Sequence, residues 1–174
     1  MNKEEKTLEE NRIYDGRVIK VNVDKVICPN GRTSTREVVH HNGGVCVLVE
    51  INDMIAMIKQ FRYAYKKELL ELPAGKLEKG ENAYDAGLRE VEEEIGYKVD
   101  SLNDLGVMYP SCGYTDEVIY LYSANNPVKT QTNFDEDEFI ELVWYSKEDL
   151  KKMVLNGDIK DAKTSILLTR YLFK

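Results

Sequence analysis

Three glutamates, Glu90, Glu93 and Glu94, lie within the stretch Gly75–Tyr97, GKLEKGENAYDAGLREVEEEIGY. Asn82 is a good N-cap with Asp85 three positions on, and Gly96 supplies a stop, so the spacing predicts a helix over 83–95. At about 100° per residue, Tyr84, Gly87, Leu88, Val91 and Ile95 fall on one face and the three glutamates on an adjacent one. Acids at the C-terminal end of a helix oppose its dipole, and Glu90 and Glu94 repel at i, i+4 by roughly a few tenths of a kcal/mol. A divalent cation would offset that repulsion, because clustered carboxylates are the natural ligands of a hard ion such as Mg²⁺. The competing reading is a solvated acidic face.

The fixed positions here are Gly75, then Glu81, then Arg89-Glu90-Val91, Glu93-Glu94 and Gly96, and their spacing resembles the Nudix box. Tyr97 stands where that family prefers a bulky aliphatic residue. The resemblance implies that Glu90 and Glu94 coordinate metal directly, with Glu93 joining them and the backbone carbonyl of Ala74 completing the site. The ion implied is Mg²⁺, with Mn²⁺ as the alternative. Arg89 would orient the carboxylates by bidentate pairing, and Glu81 could pair with Arg89 across the loop. Gly75 and Gly96 read as backbone geometry, one at a turn and one as the helix C-cap.

The flanking pieces QFRYAYKKELLELPAGKLEKGE, YPSCGYTDEVIYLYSA and DEDEFIELVWYS resemble the ADP-ribose pyrophosphatase branch, over about Arg36 to Tyr145. That likeness implies Mg²⁺-dependent hydrolysis of ADP-ribose or a related nucleoside diphosphate sugar to a nucleoside monophosphate and a sugar phosphate. It places Arg62 near the diphosphate, Glu71 on a short strand before the box, and Arg36 with Glu37 near the adenine or ribose. The last pair is often contributed by a partner subunit, which implies a homodimer. Glu136 and Glu138, in the acidic run Asp135–Glu138, are the candidate general bases, with no choice between them. Cys112 stands between Ser111 and Gly113 where this branch usually carries proline, which bears on ADP-ribose itself more than on pyrophosphatase chemistry. A nucleotide-sanitising triphosphatase and a noncatalytic nucleotide-sugar sensor are the alternative functions.

The chain has 174 residues, 43% hydrophobic content and a net charge of −7. That length suits one well-packed domain, residues 43–174, with a small strand-rich extension, residues 1–42; the resemblance implies that the domain is the catalytic one and that the extension dimerises. The acidic balance argues against nonspecific binding to nucleic acid or an anionic membrane. The charged N-terminus MNKEEKTLEENR has no apolar core, and no apolar run approaches about 18 residues, so a soluble cytoplasmic protein is expected. Cys28, Cys46 and Cys112 have no CxxC spacing and read as buried or half-buried free thiols. His40 and His41 are neighbours that point opposite ways in a strand, so they do not make a metal site together.

Several elements must position these residues. Alternation predicts strands between Ile13 and Ile27 and over 33–41, joined by the Pro29-Asn30-Gly31 turn. Apolar runs predict strands over 43–51 and 54–61, and a short one over 69–72 broken by Pro73 ahead of an Ala74-Gly75 turn. Further strands are expected over 102–109, 117–125 and 139–145. A helix capped by Ser146 should reach about Leu155, and a last helix should run over 162–172 with a buried face including Ile166, Leu167, Thr169 and Arg170. This order predicts an α+β fold, a mixed sheet in an α/β/α sandwich of the Nudix type, preceded by the strand-rich extension.

Overall fold

The computed structural model describes residues 3–133 and 139–174. They fall into two compact units, one comprising the chain up to Gly43 with Tyr109–Val118, the other Gly44–Met108 with Ile119–Lys174.

The first unit is an antiparallel sheet built on one long strand. Its elements are β1 (Lys6–Glu9), β2 (Arg12–Asp15), β3 (Ile19–Ile27) and β4 (Thr33–His41). β3 pairs along its whole length with β4, from Ile19 opposite His41 to Ile27 opposite Thr33. Its other edge is shared: β1 pairs near Ile27 and β2 near Lys20, so the two short strands lie end to end. β1 was not anticipated, because KTLE is fully exposed and carries no apolar alternation. At the β3–β4 turn Gly31 has φ +80°, a conformation that costs glycine little, and its N–H donates to Cys28 O at 2.8 Å. The segment Tyr109–Val118 is tied to β4 through Val39 N–H to Tyr114 O at 2.7 Å and Asp116 N–H to Val39 O at 3.2 Å.

The second unit contains β5 (Gly44–Ile51), β6 (Met54–Arg62), β7 (Lys67–Glu71), β8 (Ala74–Lys76), α1 (Ala83–Ile95), β9 (Tyr97–Lys98), β10 (Ser101–Met108), β11 (Ile119–Asn125), β12 (Val128–Lys129), β13 (Ile140–Ser146), α2 (Lys147–Leu155) and α3 (Ala162–Leu172). Its strands run in the order β10-β11-β5-β6-β13, with β8 also on β5 and β7 also on β6. β5 and β11 are parallel and their other pairings antiparallel, so the sheet is mixed.

The period-2 geometry of β5 explains the layers. Val45, Val47 and Val49 point to one face and pack with Ala86, Val91 and Ile95 of α1. Cys46 and Leu48 point to the other and join Leu150 of α2 with Leu167 and Leu168 of α3. A strand buried on both faces must read as the continuous apolar run VCVLV, as it does. The result is the expected α/β/α sandwich.

Three local expectations are corrected. Ala74 and Gly75 are not a turn; they belong to β8, with Ala74 opposite Cys46 and Gly75 opposite Val45. Thr169 and Arg170 are exposed, and the buried face of α3 is Thr164, Leu167 and Leu168. Arg170 instead donates to the carbonyls of Leu105 and Val107 at 2.6 and 3.1 Å, across the bulge in β10. Cys112 is exposed, whereas Cys46 is buried and Cys28 intermediate.

Candidate active site

The expected helix forms over its expected span. The Asn82 side chain accepts from Asp85 N–H, and Gly96 closes α1 in the left-handed conformation, φ +67°, with its N–H on Glu92 O. The buried positions are Ala86, Gly87, Glu90, Val91, Glu94 and Ile95, whereas Tyr84 is 38% exposed. Two of the three carboxylates are therefore part of the packed side of the helix, at 8% exposure for Glu90 and 3% for Glu94. Glu93 remains half-buried at the margin.

β8 closes over these acids. Ala74 N–H donates to Glu94 Oε2 at 2.8 Å. At Gly75 a Cβ would fall 1.8 Å from Glu90 Oε1, so the carboxylate keeps this position only beside a residue with no side chain. Gly75 is thus required for close approach, not for a turn. Arg89 binds the acids together: Nε and Nη2 donate to Glu81 Oε1 and Oε2, both at 3.0 Å, and Nη1 donates to Glu90 Oε1 and Glu93 Oε2, both at 2.8 Å. The hydrogen bonds that Arg89 donates to Glu81 raise the Arg89 pKa, and the same pairing holds Glu81 below the usual carboxylate range. A planar five-donor cation can serve three carboxylates at once; lysine could not do so with the same fixed geometry.

Among the described residues no three His, Cys, Asp or Glu side chains converge as a ready-made cation cage. The donors present nevertheless fit a small hard ion, since Mg²⁺ is commonly held by one or two carboxylates, waters and substrate phosphates. Glu90 and Glu94 would supply the carboxylates, and the absence of a side chain at Gly75 leaves the first of them its space.

The strands that precede this cradle, β6 and β7, end in a second charged group. Arg62 at the end of β6 donates through Nε and Nη2 to the two oxygens of Glu71, each at 2.6 Å. Glu71 has a side chain only 1% exposed, while Arg62 keeps 37% exposure. Burial works to raise the Glu71 pKa, but Arg62 and Lys163 outweigh it and leave it lowered. The hydrogen bond to Glu71 raises Arg62, and Glu94 is near enough to add to that effect. Lys163 and Asp161, at the start of α3, complete the group and were missed in the sequence. Asp161 was detectable as an N-cap, since its side chain accepts from Thr164 N–H, but nothing local marks Lys163 as a partner of Glu71.

Arg36 and Glu37 lie on β4 in the first unit, adjacent and hence on opposite faces of the sheet. Arg36 pairs with Glu5 and also donates to Ser34 Oγ at 3.1 Å and Thr35 O at 2.7 Å, while Glu37 is exposed. In the same unit His40 Nδ1 lies 2.6 Å from Asp116 and His41 Nδ1 3.3 Å from Glu117, so each histidine has its own carboxylate. Glu136 and Glu138 lie outside the described residues. The chain leading to them is fastened to the end of α1: Thr130 N–H donates to Gly96 O at 2.7 Å and Asn133 N–H to Glu93 O at 3.0 Å.

Known proteins share this arrangement of chain. A family model described as NUDIX domain matches residues 40–167, and one described as nucleoside diphosphate sugar hydrolase N-terminal domain matches residues 5–39. The sequence is 41% identical over 172 residues to the methanol dehydrogenase activator of Bacillus methanolicus, covering 97% of this chain and 92% of that protein. It is also 41% identical over 165 residues to the ADP-ribose pyrophosphatase of Bacillus subtilis strain 168, covering 93% and 89%. In three dimensions it resembles a crystal structure of an ADP compounds hydrolase, with TM-score 0.85 at 19% identity over 95% of this chain and 91% of that one, a likeness of fold.

Proposed function

The chain belongs to the NUDIX domain family, and on that premise we propose that it hydrolyses the diphosphate bond of ADP-ribose or a related nucleoside diphosphate sugar. The products are a nucleoside monophosphate and a sugar phosphate. The observation that carries the proposal is the cradle in which Gly75 yields its side-chain space to Glu90 while Ala74 N–H holds Glu94.

In this reading Glu90, Glu94, Glu93 and the Ala74 carbonyl are the ligands for Mg²⁺, or for Mn²⁺ in its place. Such an ion, when bound, neutralises charge on nonbridging phosphate oxygens and lowers the barrier to attack by water. The protein's own groups do the rest. Glu81 fixes Arg89, and Arg89 fixes Glu90 and Glu93, so the carboxylates are oriented before substrate arrives. Arg62 binds the diphosphate through Nη1, the nitrogen not engaged with Glu71. Glu136 or Glu138 takes the proton of the attacking water as its oxygen bonds to phosphorus and the bridging P–O bond breaks. The anchoring of Asn133 to Glu93 supports this, because it brings the chain into that acidic run from the metal-binding end of α1.

Arg36 and Glu37 contact the adenine or ribose across a homodimer in which residues 1–42 form the dimerising extension. The enzyme works in the cytoplasm; no helix among the described residues is long and apolar enough to cross a membrane. The test is a panel of ADP-ribose, ADP-glucose, GDP-mannose, dinucleoside polyphosphates and damaged nucleoside triphosphates, incubated with purified protein and Mg²⁺. Products are identified by phosphorus NMR. Turnover of a diphosphate sugar to two monoesters is expected, and no turnover of any of them would sink the proposal.

A further inference from the structure

Lys163 is the second cation on the carboxylate that seats Arg62. Its side chain is 12% exposed, and its Nζ lies 2.5 Å from Glu71 Oε2 and 3.0 Å from Asp161 Oδ1. Arg62 occupies both oxygens of the same carboxylate and so shares Oε2 with Lys163. Two cations and two anions therefore close into a neutral set around one buried group, the condition under which buried charge is tolerated. Burial works against the Lys163 charge, but Asp161 and Glu71 outweigh it and raise its pKa. The first turn of α3 grips this strand a second time, since Leu72 N–H donates to Thr164 Oγ1 at 2.8 Å.

We propose that Lys163 is a positioning residue for diphosphate binding. By holding Glu71 opposite Arg62, it fixes the carboxylate plane against which the planar guanidinium fork docks, and so fixes where Nη1 is presented. Without Lys163, Glu71 loses its second anchor, so the carboxylate and the fork docked on it swing more freely and Nη1 loses its aim. This inference rests on the reading of Arg62 as a diphosphate contact.

Lys163→Met removes the charge at similar length, and Lys163→Gln keeps one donor for Glu71. Two readouts apply: steady-state kinetics on the diphosphate sugar that the wild type turns over, and NMR hydrogen exchange at Arg62 Nε in the ligand-free protein. In Lys163→Met, KM should rise about tenfold with kcat within about threefold, and Nε exchange should quicken about tenfold. Lys163→Gln should fall between this and wild type. In an Arg62→Lys background, Lys163→Met should add less than about twofold to KM, because the two residues act as one unit. The proposal is overturned if KM or Nε exchange is unchanged in a folded Lys163→Met protein, or if its KM effect persists in the Arg62→Lys background. If Lys163→Met does not fold, Lys163→Gln takes its place in the same comparison; failure of both assigns Lys163 to folding alone and also overturns it. Absence of turnover in the wild type refutes the substrate reading separately, and Nε exchange then decides the positioning role by itself.

Discussion

Replacing Gly75 by alanine isolates the cradle from everything around it. Gly75 lies in β8 opposite Val45, in a conformation open to any residue, so the substitution carries no backbone strain. Its whole effect falls on Glu90, because the new Cβ would stand 1.8 Å from Oε1, 2.0 Å from Cδ and 2.4 Å from Oε2. Ordinary contact needs about 3.5 Å, so the carboxylate must retreat by roughly 1.5 Å. It cannot do so alone, since Arg89 Nη1 holds Oε1 at 2.8 Å and Arg89 is itself held by Glu81. A misplacement of about 1 Å in a reacting array costs on the order of 10²-fold in rate. We therefore expect turnover to fall about 10²- to 10³-fold, equivalent to roughly 2.7–4 kcal/mol of lost barrier lowering. The displaced group is a side-chain end, so thermal stability should change little. The assay is initial rate at saturating substrate over a Mg²⁺ titration, with Mn²⁺ affinity of the ligand-free protein read by electron paramagnetic resonance. A folded Gly75→Ala protein with kcat within about threefold of wild type and unchanged Mn²⁺ affinity would refute the reasoning.

Glu94→Gln should lower turnover by about 10²-fold or more while leaving the fold intact, because the side-chain oxygen can still accept from Ala74 N–H; near-normal rates would contradict its metal role. Glu71 and Glu81 both have folded pKa values below their ordinary 4.5, so the stability they contribute is complete above 4.5 and is lost as pH falls through the lower folded values. Urea midpoints should thus hold level from about pH 7 to pH 5 and decline below that, and a midpoint unchanged at about pH 3 would count against the pairing. Exposed Cys112 should react with a thiol reagent in the native protein, whereas Cys46, buried and with its pKa raised by that burial, should react only on unfolding; mass mapping of the labelled peptides decides this.

What could be read from the sequence was local. α1 appeared at its true bounds because Asn82 and Gly96 carry their own capping chemistry, and the last helix did so because its apolar residues recur at helical spacing. β5 was recognisable because burial on both faces forces an unbroken apolar run. Periodicity said less about how buried each face would be. Tyr84 was placed on the packed stripe and is 38% exposed, while Glu90 and Glu94 were placed on the face beside that stripe and are themselves buried. The reason is that β8 crosses the helix at that point, and no helical pattern records which strand will arrive. The same limit hid the role of Gly75, whose constraint comes from a carboxylate across the fold. Lys163 went unnoticed, because its partner Glu71 lies 92 residues earlier.

That separation has a kinetic consequence. The contacts of Lys163 with Glu71 and of Thr164 with Leu72 each span 92 residues, so the seat of Arg62 is closed from the far end of the chain. Closing so long a loop takes more time than forming the local α1 and its caps, although its entropic cost grows only by about 0.6 kcal/mol per doubling of length. During synthesis the carboxylate helix and β8 emerge well before Asp161–Thr164. A nascent chain can therefore have its acids in order and Arg62 already on Glu71 while Lys163 has yet to arrive, which makes the closing of that seat a late step.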